Sequence, residues 1–95
     1  MYVRVVRFTD VDAGRVQELV DRIDESDGPP EGLPMNRLTM LVDEDQRTAV
    51  VLQYFDTAED LATGAEMLNA MDPSETPGTR ASIDTCEVKL EVQAP

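Results

Sequence analysis

The stretch MNRLTMLVDEDQRTAVVLQYFDTAED, residues 35–60, sets the plan of the chain. Residues 35–43 and 47–55 are rich in β-branched, aromatic and long apolar side chains, and the acidic run DEDQ at 43–46 separates them, so they read as an antiparallel hairpin. Directly afterwards Thr57 and Asp60 stand at the spacing of a capping box, and Ala58, Leu61, Ala65, Leu68 and Met71 recur at helical intervals. Residues 57–71 are therefore a helix, which Asp72 and Pro73 end, because proline lacks the amide donor and crowds the residue before it.

Toward the N-terminus, YVRVVRF at 2–8 is a further strand. Tyr2, Arg4, Val6 and Phe8 share one face, and Val3, Val5 and Arg7 the other, so both faces are largely apolar and the sheet is expected to be covered on both sides. TDVDAGRVQELVDRIDES, residues 9–26, places Val16, Leu19, Val20 and Ile23 at helical spacing. Thr9 with Asp12 has the capping spacing at its start, and Asp10 and Asp12 are alternative caps. The proline- and glycine-rich DGPPEGLP at 27–34 ends this helix. Toward the C-terminus, PSETPGT at 73–79 reads as a loop, and ASIDTCEVKLEVQ at 81–93 alternates as a strand with one solvated face, suited to a sheet edge.

The halves echo one another, VVRFTD at 5–10 leading into the first helix as LQYFDT at 52–57 leads into the second. Residues 1–95 thus read as one α+β domain, ferredoxin-like β-α-β-β-α-β with a four-stranded antiparallel sheet. Two helices cover one face of such a sheet. Val3, Val5, Val50, Leu52 and Tyr54 recur on the opposite parity, and an identical sheet is the simplest cover, so a homodimer through the sheet face, a dimeric α+β barrel, is expected.

Composition narrows the function. Hydrophobic residues make up 41% of the chain and charged ones 29%, which suits an ordered globular domain. A net charge of −12, with the few cations spread thinly, opposes binding to nucleic acid or to anionic membranes. No apolar run approaches the length of a membrane span, the N-terminus lacks a signal peptide's apolar region, and a cytoplasmic protein is expected. With no histidine and a single cysteine, Cys86, neither a zinc pattern nor an intramolecular disulfide is expected.

The layout as a whole, the block GLPMNRLTMLVDEDQRTAVVLQYFDTAEDL at 32–61 and the strand-to-helix junction of aromatic, acid and threonine resemble the antibiotic biosynthesis monooxygenase-like family of dimeric α+β barrels. Members of that family oxidise aromatic polyketides or degrade haem without a conventional prosthetic group. The resemblance implies an asparagine on the first strand, a tryptophan ending the third and, in haem degraders, a histidine on the second helix. Along this chain those positions fall near Val6, at Phe55 and near Ala65, so no catalytic residue is carried over.

The residues themselves offer a polar and aromatic lining. Arg4 is an arginine within a strand and needs a carboxylate partner, an anionic ligand or a route to the rim. Gln53 shares a face with Phe55, and Tyr54 points the other way, so one aromatic meets the helices and the other the dimer-facing surface, as core or as pocket lining. Cys86 reads as a buried, inert thiol with no base to activate it. Arg4, Gln53, Tyr54 and Phe55 are the candidate ligand-binding residues, and no metal or cofactor is expected. Two functions fit: a small dimeric α+β barrel that binds a small apolar or aromatic molecule, or a cofactor-independent monooxygenase acting on an aromatic or polyketide substrate.

Overall fold

The computed structural model of the chain describes residues 1–25, 32–70 and 76–94. The elements are β1 (Tyr2–Thr9), α1 (Ala13–Glu25), β2 (Arg37–Asp43), β3 (Thr48–Phe55), α2 (Ala58–Asn69) and β4 (Thr79–Glu87). The strands form one antiparallel sheet in the order β2-β3-β1-β4, the ferredoxin-like plan. The expected helix stop at Asp72 and Pro73, the stripe residue Met71 and most of the DGPPEGLP segment lie outside the described residues.

The hairpin forms where its chemistry predicts. The turn between β2 and β3 is closed by the Arg47 amide donating to the Glu44 carbonyl at 3.3 Å and the Gln46 amide donating to the Asp43 carboxylate at 3.2 Å. Arg47 takes a left-handed φ of 57°. Its carbonyl accepts from the Val11 amide at 2.9 Å and its Nε donates to the Val11 carbonyl at 3.3 Å, so this turn also anchors the chain entering α1. At the other end of β3, the Thr57 hydroxyl accepts from the Asp60 amide at 3.0 Å and caps α2 as its spacing predicts. For α1 the cap is Asp12, whose carboxylate accepts from the Gly14 amide at 2.7 Å; Thr9 is the last residue of β1.

The last strand departs from its expected span. It starts two residues early, at Thr79, and ends at Glu87 rather than running to Gln93. Among the described residues β4 pairs with β1, the ladder reaches Glu87 opposite Tyr2, and the Val88 amide donating to the Met1 carbonyl at 3.0 Å is its last link. Leu90 and Val92, which the alternation placed in the sheet, therefore stand beyond it, 81% and 77% exposed. Cys86 is opposite Val3 at this edge and is exposed, not buried as its apolar neighbours suggested.

The register of β1 against β3 sorts the side chains. Arg4 faces Gln53, Val6 faces Val51 and Phe8 faces Ala49 on the helix side, where Val6, Phe8, Val11, Ala49 and Val51 form the core. On the opposite side lie Val3, Val5, Val50, Leu52 and Tyr54, away from α2, which meets Phe55, and from α1, which borders a pocket with Val6, Phe8 and Val51. Phe55 is fully buried. It owes that to Gly64 of α2: a Cβ there would run into the Cε1 and Cζ atoms of the Phe55 ring, so glycine lets helix and aromatic approach at this point.

Phe55→Ala should therefore cost about 3 to 5 kcal/mol, and Gly64→Ala, despite the better helix propensity of alanine, about 1 to 2 kcal/mol from overpacking. Urea unfolding checks both. A Gly64→Ala protein as stable as the parent would show that the ring and the helix are not in register as described.

Candidate functional site

The apolar stripe of α1 does not close onto the sheet. No residue of the helix is buried. Val16 packs against the core, whereas Leu19 and Ile23, farther along the same stripe, border a cavity of about 710 Å³ between α1 and the sheet. Its opposite wall is Val6, Phe8, Leu38, Met40 and Val51, and Leu68 of α2 and the segment from Thr76 to Arg80 complete it. This volume is in the range of small-molecule sites, and its mainly apolar wall with a few polar groups is the usual composition of one.

The polar group inside is Arg4. Its strand position points it to the helix side, where it is only 3% exposed. Nη1 donates to Gln53 Oε1 and Nη2 to Asn69 Oδ1, each at 2.7 Å, while Nε is buried with no acceptor. Gln53 is its cross-strand partner in the sheet, and Asn69 is the last residue of α2. The last turn of α2 has no basic residue of its own, so Arg4 supplies a positive charge where the helix dipole favours one. Burial, and after it the neighbouring Arg80 guanidinium, lower the pKa of Arg4 from the ordinary arginine value. Two more arginines border the cavity, Arg80 and Arg15, the latter donating from Nη2 to the Thr76 carbonyl at 2.6 Å. Among the described residues Asp10, held in a left-handed conformation at φ 52°, is the carboxylate bordering it.

Of the four residues singled out from the sequence, Arg4 and Gln53 meet in this cavity. Tyr54 lies on the opposite face, its ring 4.2 Å from the Arg37 guanidinium carbon. Phe55 shares the helix side but is sealed against Gly64 and borders no part of the cavity. Asn36, at the start of the hairpin, donates to the Asp56 carboxylate at 2.7 Å and is exposed. Sequence reasoning passed over Asn69 and Arg15, although a signal existed. Asn69 follows Ala65 by four residues on the inward stripe of α2, and Arg15 precedes Leu19 by four on that of α1. Among the described residues no three carboxylate or thiol groups gather closely enough to hold a metal ion.

No family model matches the chain, and no curated protein matches it. Among solved structures it resembles the haem degrader MhuD from Mycobacterium tuberculosis with two haems bound in its active site, at TM-score 0.66 and 21% identity over 98% of this chain and 100% of that one. A further match is an arginine-to-serine mutant of MhuD with two manganese protoporphyrin IX molecules bound per active site, at TM-score 0.61 and 19% identity over 99% of this chain and 100% of the other. At such identities the likeness is one of fold. The chain thus has a ferredoxin-like α+β fold like that of MhuD, which supports, at the level of fold, the resemblance to the antibiotic biosynthesis monooxygenase-like family.

Proposed function

We propose that this chain binds a small apolar or aromatic molecule in the cavity between α1 and the sheet, and that it does so as a homodimer. The observation that carries the reading is the apolar stripe of α1, Leu19 and Ile23, facing the sheet residues Val6, Met40 and Val51 across unfilled space. Apolar surface left open to water in this way gains when the apolar body of a ligand covers it.

The monooxygenase reading finds less support. Tyr54 stands on the other face and Cys86 at the sheet edge, so neither borders the cavity. Arg4 keeps its proton and cannot serve as a base. Haem, which MhuD binds, also fits poorly, because proteins hold its iron through histidine, thiolate, tyrosine or a methionine paired with histidine. Among the described residues the cavity wall carries no histidine, cysteine or tyrosine, and its sulfur groups are the thioethers of Met35 and Met40.

The dimer rests on the open sheet face. Val5, Val50, Leu52 and Tyr54 are half-buried there and Leu41 is 53% exposed, while Val3 is already buried within the single chain. A second copy stacked about a twofold axis would bury this surface, and a stable interface of this kind removes about 1,200 to 2,000 Å² from water. A cytoplasmic location belongs to the same reading; no helix among the described residues is long and apolar enough to cross a membrane.

Three outcomes are expected. The neutral fluorophore N-phenyl-1-naphthylamine should bind the parent with a blue-shifted emission, and Leu19→Trp, which fills the cavity from an unburied helix position, should abolish that binding without unfolding the chain. Equal binding by both would remove the cavity from consideration. Hemin titration should give no stoichiometric Soret shift at sub-micromolar concentration. In light scattering the parent should have twice its chain mass of 10.5 kDa, more firmly as salt screens the −12 charge of each copy, and Leu52→Glu should be monomeric or insoluble. A salt-independent parental mass of one chain would end the dimer reading.

A further inference from the structure

We infer that the molecule held in this cavity is a carboxylic acid, whose carboxylate Arg4 receives at the cavity floor while an apolar body lies between α1 and the sheet. This rests on the cavity being a binding site and adds the chemical class of its ligand.

The starting point is a charge without a counterion among the described residues. Arg4 is 3% exposed, and both of its acceptors, Gln53 and Asn69, are neutral amides. A guanidinium has five N–H donors, of which these bonds use two, and the Nε donor is buried with no acceptor at all. Among the described residues no carboxylate pairs with it; the ion pair found there joins Lys89 and Glu87, outside the sheet's interior. Proteins seldom bury an arginine this way, because an unpaired buried charge is strongly unfavourable. A neutral side chain could have spanned from Gln53 to Asn69 at less cost.

The surroundings repeat the sign. The sequence has seven arginines and twenty carboxylates, and three of those arginines, Arg4, Arg15 and Arg80, border this one cavity, against Asp10 as the carboxylate found there among the described residues. A strongly acidic protein has concentrated positive charge at a single apolar hollow. Arg80 lies near enough to Arg4 to disfavour its charge, a repulsion that an anion between them would turn into attraction.

The shape of the donor and the polarity of the wall choose among anions. A planar guanidinium matches a carboxylate by two parallel hydrogen bonds. A phosphate group brings up to two charges into a space whose described borders, apart from Asp10, the arginines, Gln53 and the threonines, are apolar, Val6, Leu38, Met40 and Val51 among them, and its desolvation costs more than that of a single carboxylate. Those same residues suit a hydrocarbon or aromatic body, so the ligand is amphipathic, with one acidic end and one apolar end.

The test compares acids with their own amides, which keep the body and remove the charge: 2-naphthaleneacetate with 2-naphthaleneacetamide, and octanoate with octanamide, by calorimetry. On the parent at least one acid should bind about tenfold or more tightly than its amide. Arg4→Met should reduce acid binding by a similar factor, leave amide binding within about threefold, and so abolish the preference. Because that variant also frees Gln53 and Asn69, a second readout uses the parent alone: the Arg4 Nε–H resonance in a ¹⁵N-arginine-labelled sample should move on adding the acid and stay on adding the amide. Equal affinity of acid and amide for the parent, or a preference that survives Arg4→Met, overturns the carboxylate while leaving the cavity as a site. Failure of all four probes to bind the parent overturns both.

Discussion

The pairing of β1 with β3 is the constraint from which the rest follows. Tyr2 lies opposite Phe55 and Phe8 opposite Ala49, and within that register each residue has a fixed side. One residue of slip would carry Val6, Phe8 and Val51 to the open face and bring Val5, Val50 and Leu52 beneath the helices. It would also move Arg4 out of reach of Asn69. The register is held at both ends by features outside the two strands: the β2–β3 turn, where Arg47 engages Val11, and the junction into α2, where Phe55 locks against Gly64.

What was legible in the sequence was what is decided locally. The hairpin, the Thr57 cap and the opposite facing of Tyr54 and Phe55 depend on turn chemistry, capping spacing and the period of a strand, all contained in a few consecutive residues. The end of β4 was not legible, because it is set by where β1 begins, some eighty residues earlier in the chain. The exposure of Cys86 has another cause: β4 is an edge strand, and every residue of it is exposed. The cavity was hidden for a different reason: the stripe of α1 is equally regular whether the helix rests on the sheet or stands off it, and only the packing distinguishes Val16 from Leu19 and Ile23. Arg4 was recognisable as an oddity, an arginine within a strand, but its amide partners lie on β3 and at the end of α2.

In the proposed reading Arg4 serves fold and site together. Its bond to Asn69 ties the C-terminal end of α2 to the central strand, and that bond holds the guanidinium in the wall of the cavity rather than letting it reach solvent. The two amides fix its plane without neutralising it. Stability is lower than a neutral residue would allow, and a preorganised cation results.

The unburied state of α1 has a dynamic counterpart. A helix that contributes no buried residue has little of its own packing to lose when it lifts away, so it can open at a free energy below that of the whole domain while the sheet stays paired. Amide hydrogens along α1 then exchange through that partial opening, and those in the middle of β1 and β3 only through global unfolding. The same partial opening is a route by which a molecule too large for the static rim can enter and leave the cavity, with the strands and the Arg4 anchor undisturbed.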